Sequence, residues 1–435
     1  MKIFKAPFLL LLLVAACSEN SPEPEPVVFE QTDAITALAF DQVSVVVRGY
    51  NPTVHRFLVN GQSVETMLSG GSEISFIVPF KVGSGRIEII DGDKTIQGPE
   101  FIYVPTYVPF YSMDAADGST LAETPDKKLV SYDPLNNKIQ QLEYKSIDGV
   151  GYETSLTMSE TKTNVTVPNA ALATYKVDQV LGMCVTPTNQ VYLAQVYRDS
   201  PGSFNVFTPI LTGQLSGNAL TTVFEDANDR YREVLDIEVS ANGNLFTIEK
   251  GKFSIRENTL SAVSIFAGST TAGHQDGSGT QARFTEPNAL TMDSNGNLYV
   301  ADGNCIRKVT PAGVVTTIAG SPEEGNVTGP ALQARFKKIM GLCITPSGTL
   351  YIADVGNDVI KTLKDGVVNT LHNTQANTEG STIPMFVNSL GIIFYQRGGV
   401  GLGGGLKAYV PENLLTEEFV KDAKGVQGGF NIMIE

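Results

Sequence analysis

The chain repeats itself with a period of 52 to 54 residues, and this period restricts the possible folds more than any other feature of the sequence. An aromatic residue recurs in similar segments at Tyr192, Phe246, Tyr299 and Tyr351, in steps of 54, 53 and 52 residues. The tripeptide Ala-Arg-Phe begins at residues 282 and 334, again 52 residues apart. Independent markers that share one period indicate a tandem structural repeat.

Each repeat contains four strand-like runs separated by turns. The segment 289–320 holds the runs ALTMDS, NLYVAD, CIRKVT and VVTTIAG, with SNGN and TPAG as turn sequences. A four-stranded unit of this length is typical of a β-propeller blade. Residues 105–435 number 435 − 105 + 1 = 331, enough for about six such units. We therefore predict an all-β fold with a six-bladed propeller over 105–435. Its last run, GGFNIMIE, is expected to pair with the first strands and close the ring.

Residues 27–104 precede the repeats and show a different pattern. Val43, Val45 and Val47 alternate with other residues, and Asn60-Gly61 marks a turn between two strand-like runs. Five or more short strands at spacings of about ten residues predict an immunoglobulin-like β-sandwich. This segment contains no residues that indicate chemistry.

Both regions resemble known families in their motifs. The order V-x-G-x-N, F-x-V-N-G, I-x-F-x-V-P over 27–104 resembles IPT/TIG domains, which are spacers or partner-binding modules. The segment 279–309, which includes NGNLYVADGNCIRKV, resembles the NHL repeat. The resemblance implies an IPT/TIG-like sandwich followed by an NHL-repeat propeller.

The N-terminal residues form a predicted export signal. Lys2 and Lys5 precede a short apolar run, which ends in the sequence VAAC at Cys17. This arrangement resembles a lipobox and implies a signal peptide over 1–16 and lipidation of Cys17. Residues 17–26 are then an acidic, Pro-rich tether. Ser18 fits sorting to the outer membrane, most naturally on the cell surface, with the periplasmic face as the alternative.

The formal net charge is −15, which disfavours nucleic acid as a partner. The combination of lipobox, TIG-like sandwich and NHL propeller resembles Gram-negative surface lipoproteins that accompany TonB-dependent nutrient transporters. It implies a non-enzymatic lipoprotein whose propeller binds a glycan, another polymer or a protein. Two alternatives are a propeller lyase or hydrolase acting on a glycan or peptide, and an assembly scaffold without a small ligand.

An acid recurs where the second strand of each repeat ends, at Glu249, Asp302 and Asp354, with Gln195 in the equivalent place. A carboxylate at a strand end commonly caps backbone N–H groups of the following turn. Contact with a ligand and binding of a cation are the alternatives. On the next strand, Arg307 and Lys361 are expected to face solvent or a neighbouring blade.

Loops that depart from the repeat are the better candidates for ligand binding. The segment QVYRDS adds Tyr197 and Arg198, and the segment before the glycine-rich run 398–405 adds Tyr395, Gln396 and Arg397. Exposed aromatic rings can stack on sugars, while Arg and Asn can bond hydroxyl groups. The full set of candidate ligand-binding residues is Tyr197, Arg198, Glu249, Asp302, Asn304, Asp354, Asn357, Tyr395, Gln396 and Arg397.

The sequence offers no catalytic residue, metal site or cofactor. Cys184 and Cys343 lie three repeats apart, which places them across the ring, too far for a disulfide. We interpret them as small buried residues of inner strands. Cys305 begins a third strand, and none of the three histidines stands at a spacing that suggests a triad.

Overall fold

The computed structural model describes residues 25–105, 107–112, 121–133, 138–150, 153–166, 176–198, 206–207, 210–216, 221–224, 234–259, 263–371, 385–396, 406–415 and 430–432. The chain divides between Tyr103 and Val104 into two compact units. Throughout these ranges the regular structure is β-strand, apart from short 3-10 helices at Gly279–Gln281, Ala331–Gln333, Val355–Asn357 and Glu412–Leu414. The protein is therefore all-β, as the sequence predicts.

The described part of the first unit, from residue 25 onward, forms nine strands in two sheets. They are β1 (Val28–Phe29), β2 (Ile35–Ala37), β3 (Gln42–Arg48), β4 (His55–Val59), β5 (Gln62–Ser63), β6 (Thr66–Ser69), β7 (Glu73–Ile77), β8 (Gly85–Asp91) and β9 (Lys94–Tyr103). One sheet has the order β1-β3-β7-β6 and the other the order β2-β9-β8-β4-β5. Alternate residues of both sheets, such as Val45, Val47, Phe57, Phe76 and Ile87, form one buried core. The two-residue period of the sequence thus places its apolar face between the sheets.

The second unit contains the remaining strands. They are β10 (Tyr107–Ser112), β11 (Leu121–Glu123), β12 (Leu129–Asp133), β13 (Lys138–Val150), β14 (Glu153–Thr166), β15 (Lys176–Val185), β16 (Gln190–Arg198), β17 (Val206–Phe207), β18 (Ile210–Gln214), β19 (Thr221–Phe224), β20 (Val234–Val239), β21 (Leu245–Glu249), β22 (Phe253–Asn258), β23 (Val263–Ser269), β24 (Gly277–Ser278), β25 (Pro287–Met292), β26 (Leu298–Asp302), β27 (Cys305–Val309), β28 (Val314–Gly320), β29 (Gly329–Pro330), β30 (Ile339–Ile344), β31 (Leu350–Asp354), β32 (Val359–Lys364), β33 (Val367–Thr370), β34 (Met385–Val387), β35 (Ile393–Gln396), β36 (Leu406–Pro411) and β37 (Phe430–Ile432).

Within the described ranges these strands form six sheets, one for each repeat. Repeats 1 to 5 have the orders β11-β12-β13-β14, β15-β16-β18-β19 with β17 beside β16, β20-β21-β22-β23, β24-β28-β27-β26-β25 and β29-β33-β32-β31-β30. Repeat 6 has the order β34-β35-β36-β10-β37 and so combines strands from both ends of the unit. β37 runs parallel to β10, with Phe430 opposite Phe110. This pairing confirms that the last strand-like run joins a strand from the start of the unit.

The first two main strands of all six repeats are joined by a turn with the same hydrogen bond. In repeat 4 the Asp293 N–H donates to the Asn297 carbonyl oxygen at 3.0 Å. The equivalent donors are Thr124, Thr186, Ser240, Thr345 and Asn388. This bond aligns repeats 1 and 6, whose sequences match the others poorly.

Successive repeats share apolar cores, and each core joins two neighbouring sheets. Phe284 packs with Ile248 between repeats 3 and 4, and Phe336 packs with Ala301 between repeats 4 and 5. The phenylalanines of the two Ala-Arg-Phe segments therefore wedge between sheets. The first and last repeats also meet, because Ser389 donates its N–H and hydroxyl hydrogen to Glu123 at 3.1 and 2.9 Å.

Candidate functional site

Asp302 lies fully buried at the end of β26, where its carboxylate is enclosed by three donors. Its Oδ1 accepts the N–H groups of Thr285 at 2.6 Å and Glu286 at 2.8 Å. Its Oδ2 lies 2.9 Å from Nη1 of Arg307, and both side chains are 0% exposed. Asp302 thus joins the segment before β25 to β27 of the same sheet.

Asp354 repeats this arrangement in the next sheet. Its Oδ1 accepts the Lys337 N–H at 2.8 Å, and its Oδ2 lies 2.8 Å from Nζ of Lys361. Both side chains are again 0% exposed. Both acids accept backbone N–H groups, but these groups lie before β25 and β30, so the expected cap of the following turn is wrong.

Arg307 and Lys361 are buried, which excludes the first of the two predicted environments, solvent, and leaves the second, a neighbouring repeat. Arg307 Nη1 donates to the Arg283 carbonyl oxygen at 3.1 Å, and Lys361 Nζ donates to the Arg335 carbonyl oxygen at 2.9 Å. Their cationic groups lie 5.3 and 4.9 Å from the ring centres of Phe284 and Phe336. Each base therefore fixes the Ala-Arg-Phe segment of its repeat.

Repeat 3 has the same acid and base positions with a longer separation. Glu249 is 2% exposed, and its Oε1 lies 3.5 Å from Nε of Arg256. A periodic signal could have identified these pairs, because an Ile followed by Arg or Lys recurs at residues 255–256, 306–307 and 360–361. A carboxylate that is enclosed by a base and backbone N–H groups has no free oxygen to offer. The carboxylates of Asp302 and Asp354 are thus engaged in contacts within their own repeats.

Asn304 and Asn357 connect loops around the same strand ends. Asn304 Nδ2 donates to the Pro322 carbonyl oxygen at 3.1 Å, and its Oδ1 accepts the Lys338 N–H at 2.8 Å. Asn357 Nδ2 donates to the Gly325 carbonyl oxygen at 2.7 Å and to Asp354 Oδ2 at 2.8 Å. These contacts hold the loops between repeats in place.

The off-template candidates lie in repeats 2 and 6. Tyr197 and Arg198 end β16, which has nine residues, whereas β21, β26 and β31 have five each. Tyr395 and Gln396 end β35. Only the backbone is described for these four residues. Arg397, the glycine-rich run 398–405 and the lipidation candidate Cys17 lie outside the described ranges.

The inner strands carry a polar cluster that the periodicity did not reveal. We define it as Asp236 and Glu238 of β20, Thr291 of β25, and the thiols of Cys184 and Cys343. Asp236 accepts the Leu290 N–H at 2.9 Å, and Glu238 accepts hydrogen bonds from the Thr291 side chain and the Met292 N–H. The Thr291 hydroxyl accepts the Ile344 N–H at 3.3 Å, and Cys343 Sγ accepts the Val387 N–H at 3.3 Å. Side chains of one repeat thus bind amides of the next.

Burial perturbs the acids and thiols of this cluster. Desolvation raises the pKa of Asp236 to about 7, and desolvation together with the neighbouring Asp236 charge raises the pKa of Glu238 to about 8. Desolvation also raises the pKa of Cys343 and of Cys305 to about 12 and moves the pKa of Cys184 upward. Thiols with raised pKa values are poor nucleophiles. Cys184 and Cys343 are partly buried on the first strands of repeats 2 and 5, and Cys305 is buried.

Replacing Glu238 by glutamine should change how stability depends on pH. The unfolded carboxyl ionises above its ordinary pKa of 4.5, whereas the folded state keeps its proton until about pH 8. The wild type therefore loses stability as the pH rises between these values, and the amide does not. We expect Glu238→Gln to melt about 5 °C above the wild type at pH 8.5 and at the same temperature near pH 4. Circular dichroism melts with the exposed Glu286→Gln as control test this, and a difference independent of pH would contradict it.

The described residues contain no group of three or more His, Cys, Asp or Glu side chains positioned to hold a metal ion. In the same ranges, the chain forms no helix with the length and hydrophobicity of a membrane span.

Comparison with known proteins identifies the type of repeat. Residues 267–330 match the family model of the Teneurin NHL domain. The chain is 39% identical over 97 residues to NHL repeat-containing protein 2 of Gallus gallus, covering 21% of this chain and 13% of the relative. It is 32% identical over 92 residues to Teneurin-1 of Mus musculus, covering 17% of this chain and 3% of the relative. The chain thus spans only a small part of the curated relatives it matches.

Solved structures with low overall similarity include an auxiliary nutrient binding protein from Bacteroides thetaiotaomicron VPI-5482. That structure is 16% identical, with a TM-score of 0.38, covering 80% of this chain and 98% of its own. A streptogramin B lyase is 11% identical, with a TM-score of 0.42, covering 71% of this chain and 98% of its own. Scores this low do not support a functional conclusion.

The geometry first defines an all-β protein whose second unit is built on repeated sheets of four or five strands. The matches then show an NHL domain within this unit, with the family model covering residues 267–330.

Proposed function

We propose that the second unit is a six-bladed NHL propeller and the first unit an IPT/TIG-like sandwich. Three observations support a closed ring. All six repeats share the same turn, apolar cores join successive repeats, and Glu123 of repeat 1 contacts Ser389 of repeat 6. The two-sheet core of the first unit supports the immunoglobulin-like assignment.

On this fold, the protein acts as a non-enzymatic lipoprotein of the outer membrane, anchored through lipid on Cys17 and exposed at the cell surface. Its propeller binds a glycan, another polymer or a protein partner, as an accessory of a TonB-dependent uptake system. The lipobox-like sequence supports the anchor, and the acidic net charge of −15 agrees with a function away from nucleic acid.

One observation carries the binding role. In repeats 4 and 5 the template acids pair with internal bases, whereas β13 and β14 of repeat 1 and β16 of repeat 2 continue beyond the template, and β17 pairs with the end of β16. Repeated residues build the scaffold, and residues added to one repeat serve a purpose specific to this chain.

Two measurements on cells test this function. Metabolic labelling with a palmitate analogue should mark the wild type and leave Cys17→Ser unlabelled, and surface protease treatment should degrade only the anchored wild type. Purified protein should then bind soluble polysaccharides or retain a transporter from detergent-solubilised outer membranes. A chain that is unlabelled at Cys17 and retains neither class of partner would contradict the proposal.

Catalysis is a second candidate because of the inner-strand polar cluster. A carboxyl group with a pKa near 8 beside a second acid is typical of a general acid. A lyase or hydrolase using Glu238 should release new sugar reducing ends or peptide fragments, and Glu238→Gln should abolish that release. If wild type and Glu238→Gln both leave every offered polymer intact, the binding role is favoured.

A further inference from the structure

The first strands of repeats 2 to 5 each carry a β-bulge at the same place. In repeats 3, 4 and 5 the extra residues are Leu235, Asn288 and Met340, which interrupt the pairing of β20, β25 and β30. A bulge re-aims the side chain of its extra residue and is common next to functional sites. Repeats 3 and 5 place an apolar side chain at the bulge, whereas repeat 4 places an amide there.

Asn288 is a buried donor without an acceptor. The residue is 6% exposed, and no atom in the described part of the chain accepts a hydrogen bond from its Nδ2. Leaving a buried donor unpaired costs stability, so an unpaired group of this kind requires an explanation. The apolar residues of repeats 3 and 5 indicate that the fold itself does not need an amide here. The amide therefore points to a ligand that supplies the missing acceptor.

The bulge turns the Asn288 side chain toward the following repeat. In repeat 3, Leu235 lies in the core shared with repeat 4, although Ile237, two residues later, lies in the core shared with repeat 2. The same reversal occurs in repeat 5. By this equivalence Asn288 lies on the side of β25 that faces repeat 5. That is also the side of Thr291, whose hydroxyl accepts an N–H group of repeat 5.

The inner-strand polar cluster, to which Thr291 belongs, surrounds a space that solvent reaches. All its members except Thr291 are only partly buried. Desolvation raises the pKa of Cys343, and the charges of Glu238, Asp236 and Glu123 raise it further. Because electrostatic effects weaken with distance, these groups of repeats 1, 3 and 5 lie near one another. Thr291 of repeat 4 adds its side-chain hydrogen bond to Glu238. The first strands of four repeats thus converge on one space.

We propose that Asn288 and the inner-strand polar cluster bind a neutral sugar in this space. The inference rests on the proposed function and gives its glycan a site apart from the residues added to repeat 2. A sugar hydroxyl both accepts and donates, so it matches a mixed set of groups. Its oxygen accepts the hydrogen bond that Asn288 Nδ2 lacks, and its hydrogen is donated to a carboxyl oxygen of Asp236 or Glu238.

Charge favours a neutral sugar over an acidic one. The ionisable carboxyl groups near the space, those of Asp236, Glu238 and Glu123, repel a uronic acid whenever they are ionised. The formal net charge of −15 also opposes the approach of polyanions such as uronic acid polymers. A neutral sugar meets neither obstacle.

Isothermal titration of the full chain with neutral hexasaccharides of α-1,4-glucan, β-1,3-glucan and β-1,4-mannan tests the proposal, with oligoalginate as the anionic comparison. At least one neutral hexasaccharide should bind the wild type. Asn288→Leu introduces the residue of repeat 3 and should weaken this binding about three- to tenfold. It should also melt about 2–5 °C above the wild type, because the unpaired donor is gone. Met340→Leu, at the equivalent position of repeat 5, is the matched control and should preserve both affinity and melting temperature.

The outcomes separate this inference from the general function. Unchanged affinity in Asn288→Leu would overturn the site and leave a glycan-binding protein with another one. A melting temperature below that of the wild type would show that the amide has an internal partner, which also overturns the site. Binding of oligoalginate alone would overturn the neutral ligand. If no sugar binds the wild type, the inference is refuted, and a transporter retained from solubilised membranes would still support the proposed function.

Discussion

Replacement of Arg307 by methionine is expected to lower the free energy of unfolding of the repeat unit by about 3–5 kcal/mol. The substitution leaves the carboxylate of Asp302 buried without its cation, with both side chains 0% exposed in the wild type. It also removes the hydrogen bonds from Arg307 to the carbonyl oxygens of Arg283 and Gln275. Denaturant unfolding followed by circular dichroism would measure the loss.

Two controls separate the buried pair from a general effect of charge. Arg307→Lys should be much less destabilising, because Lys361 pairs with Asp354 at the equivalent position of repeat 5. The side chain of Glu323 is 84% exposed and pairs with Arg335 at the surface. Glu323→Gln should therefore change stability by less than about 1 kcal/mol. Equal losses in Arg307→Met and Glu323→Gln would show that the buried pair is not structural.

Gly320→Ala is expected to destabilise the repeat unit by roughly 2–5 kcal/mol. Gly320 has a φ of +80°, and an added Cβ would lie 2.4 Å from the Asn304 carbonyl oxygen and 2.9 Å from the Phe336 ring. Gly268 has the same environment in repeat 3, with Phe253 and Phe284 as its neighbours. The glycine that ends the tripeptides FAG and IAG therefore allows the phenylalanine wedge to pack against the backbone.

Gly348→Ala is the matched control for this prediction. Gly348 has a φ of +79°, but an added Cβ would meet no atom within 4 Å. It should cost only about 1 kcal/mol, from backbone conformation alone. Denaturant midpoints of the two variants isolate the contribution of the close contact, and similar midpoints would show that the contact does not matter.

The sequence was sufficient for features that recur with the period. The four-strand unit, the phenylalanine wedges and the acids at strand ends all repeat, so their shared role could be predicted. The sequence left two environments open for Arg307 and Lys361, because a base next to an apolar residue on a strand fits an exposed and a buried position equally well. Only the contact with Asp302 or Asp354 shows that the base points inward.

The inner-strand polar cluster escaped prediction for a different reason. Asp236 and Glu238 are not repeated, since Ala289 and Thr291 hold the equivalent positions in repeat 4. Periodicity carries no information about such residues. The alternation of acids with apolar residues in VLDIEV was the available signal, because it places two carboxyls on one face of an otherwise apolar inner strand.

The measurement that tests the account most directly compares Asp302→Asn with Tyr197→Ala in both stability and ligand affinity. If the template builds the scaffold and the residues added to repeat 2 bind, Asp302→Asn lowers the unfolding midpoint while the folded fraction keeps its affinity for the bound partner. Tyr197→Ala then keeps the midpoint and loses about tenfold in affinity. The reverse pattern, with binding lost in folded Asp302→Asn and retained in Tyr197→Ala, would contradict the account.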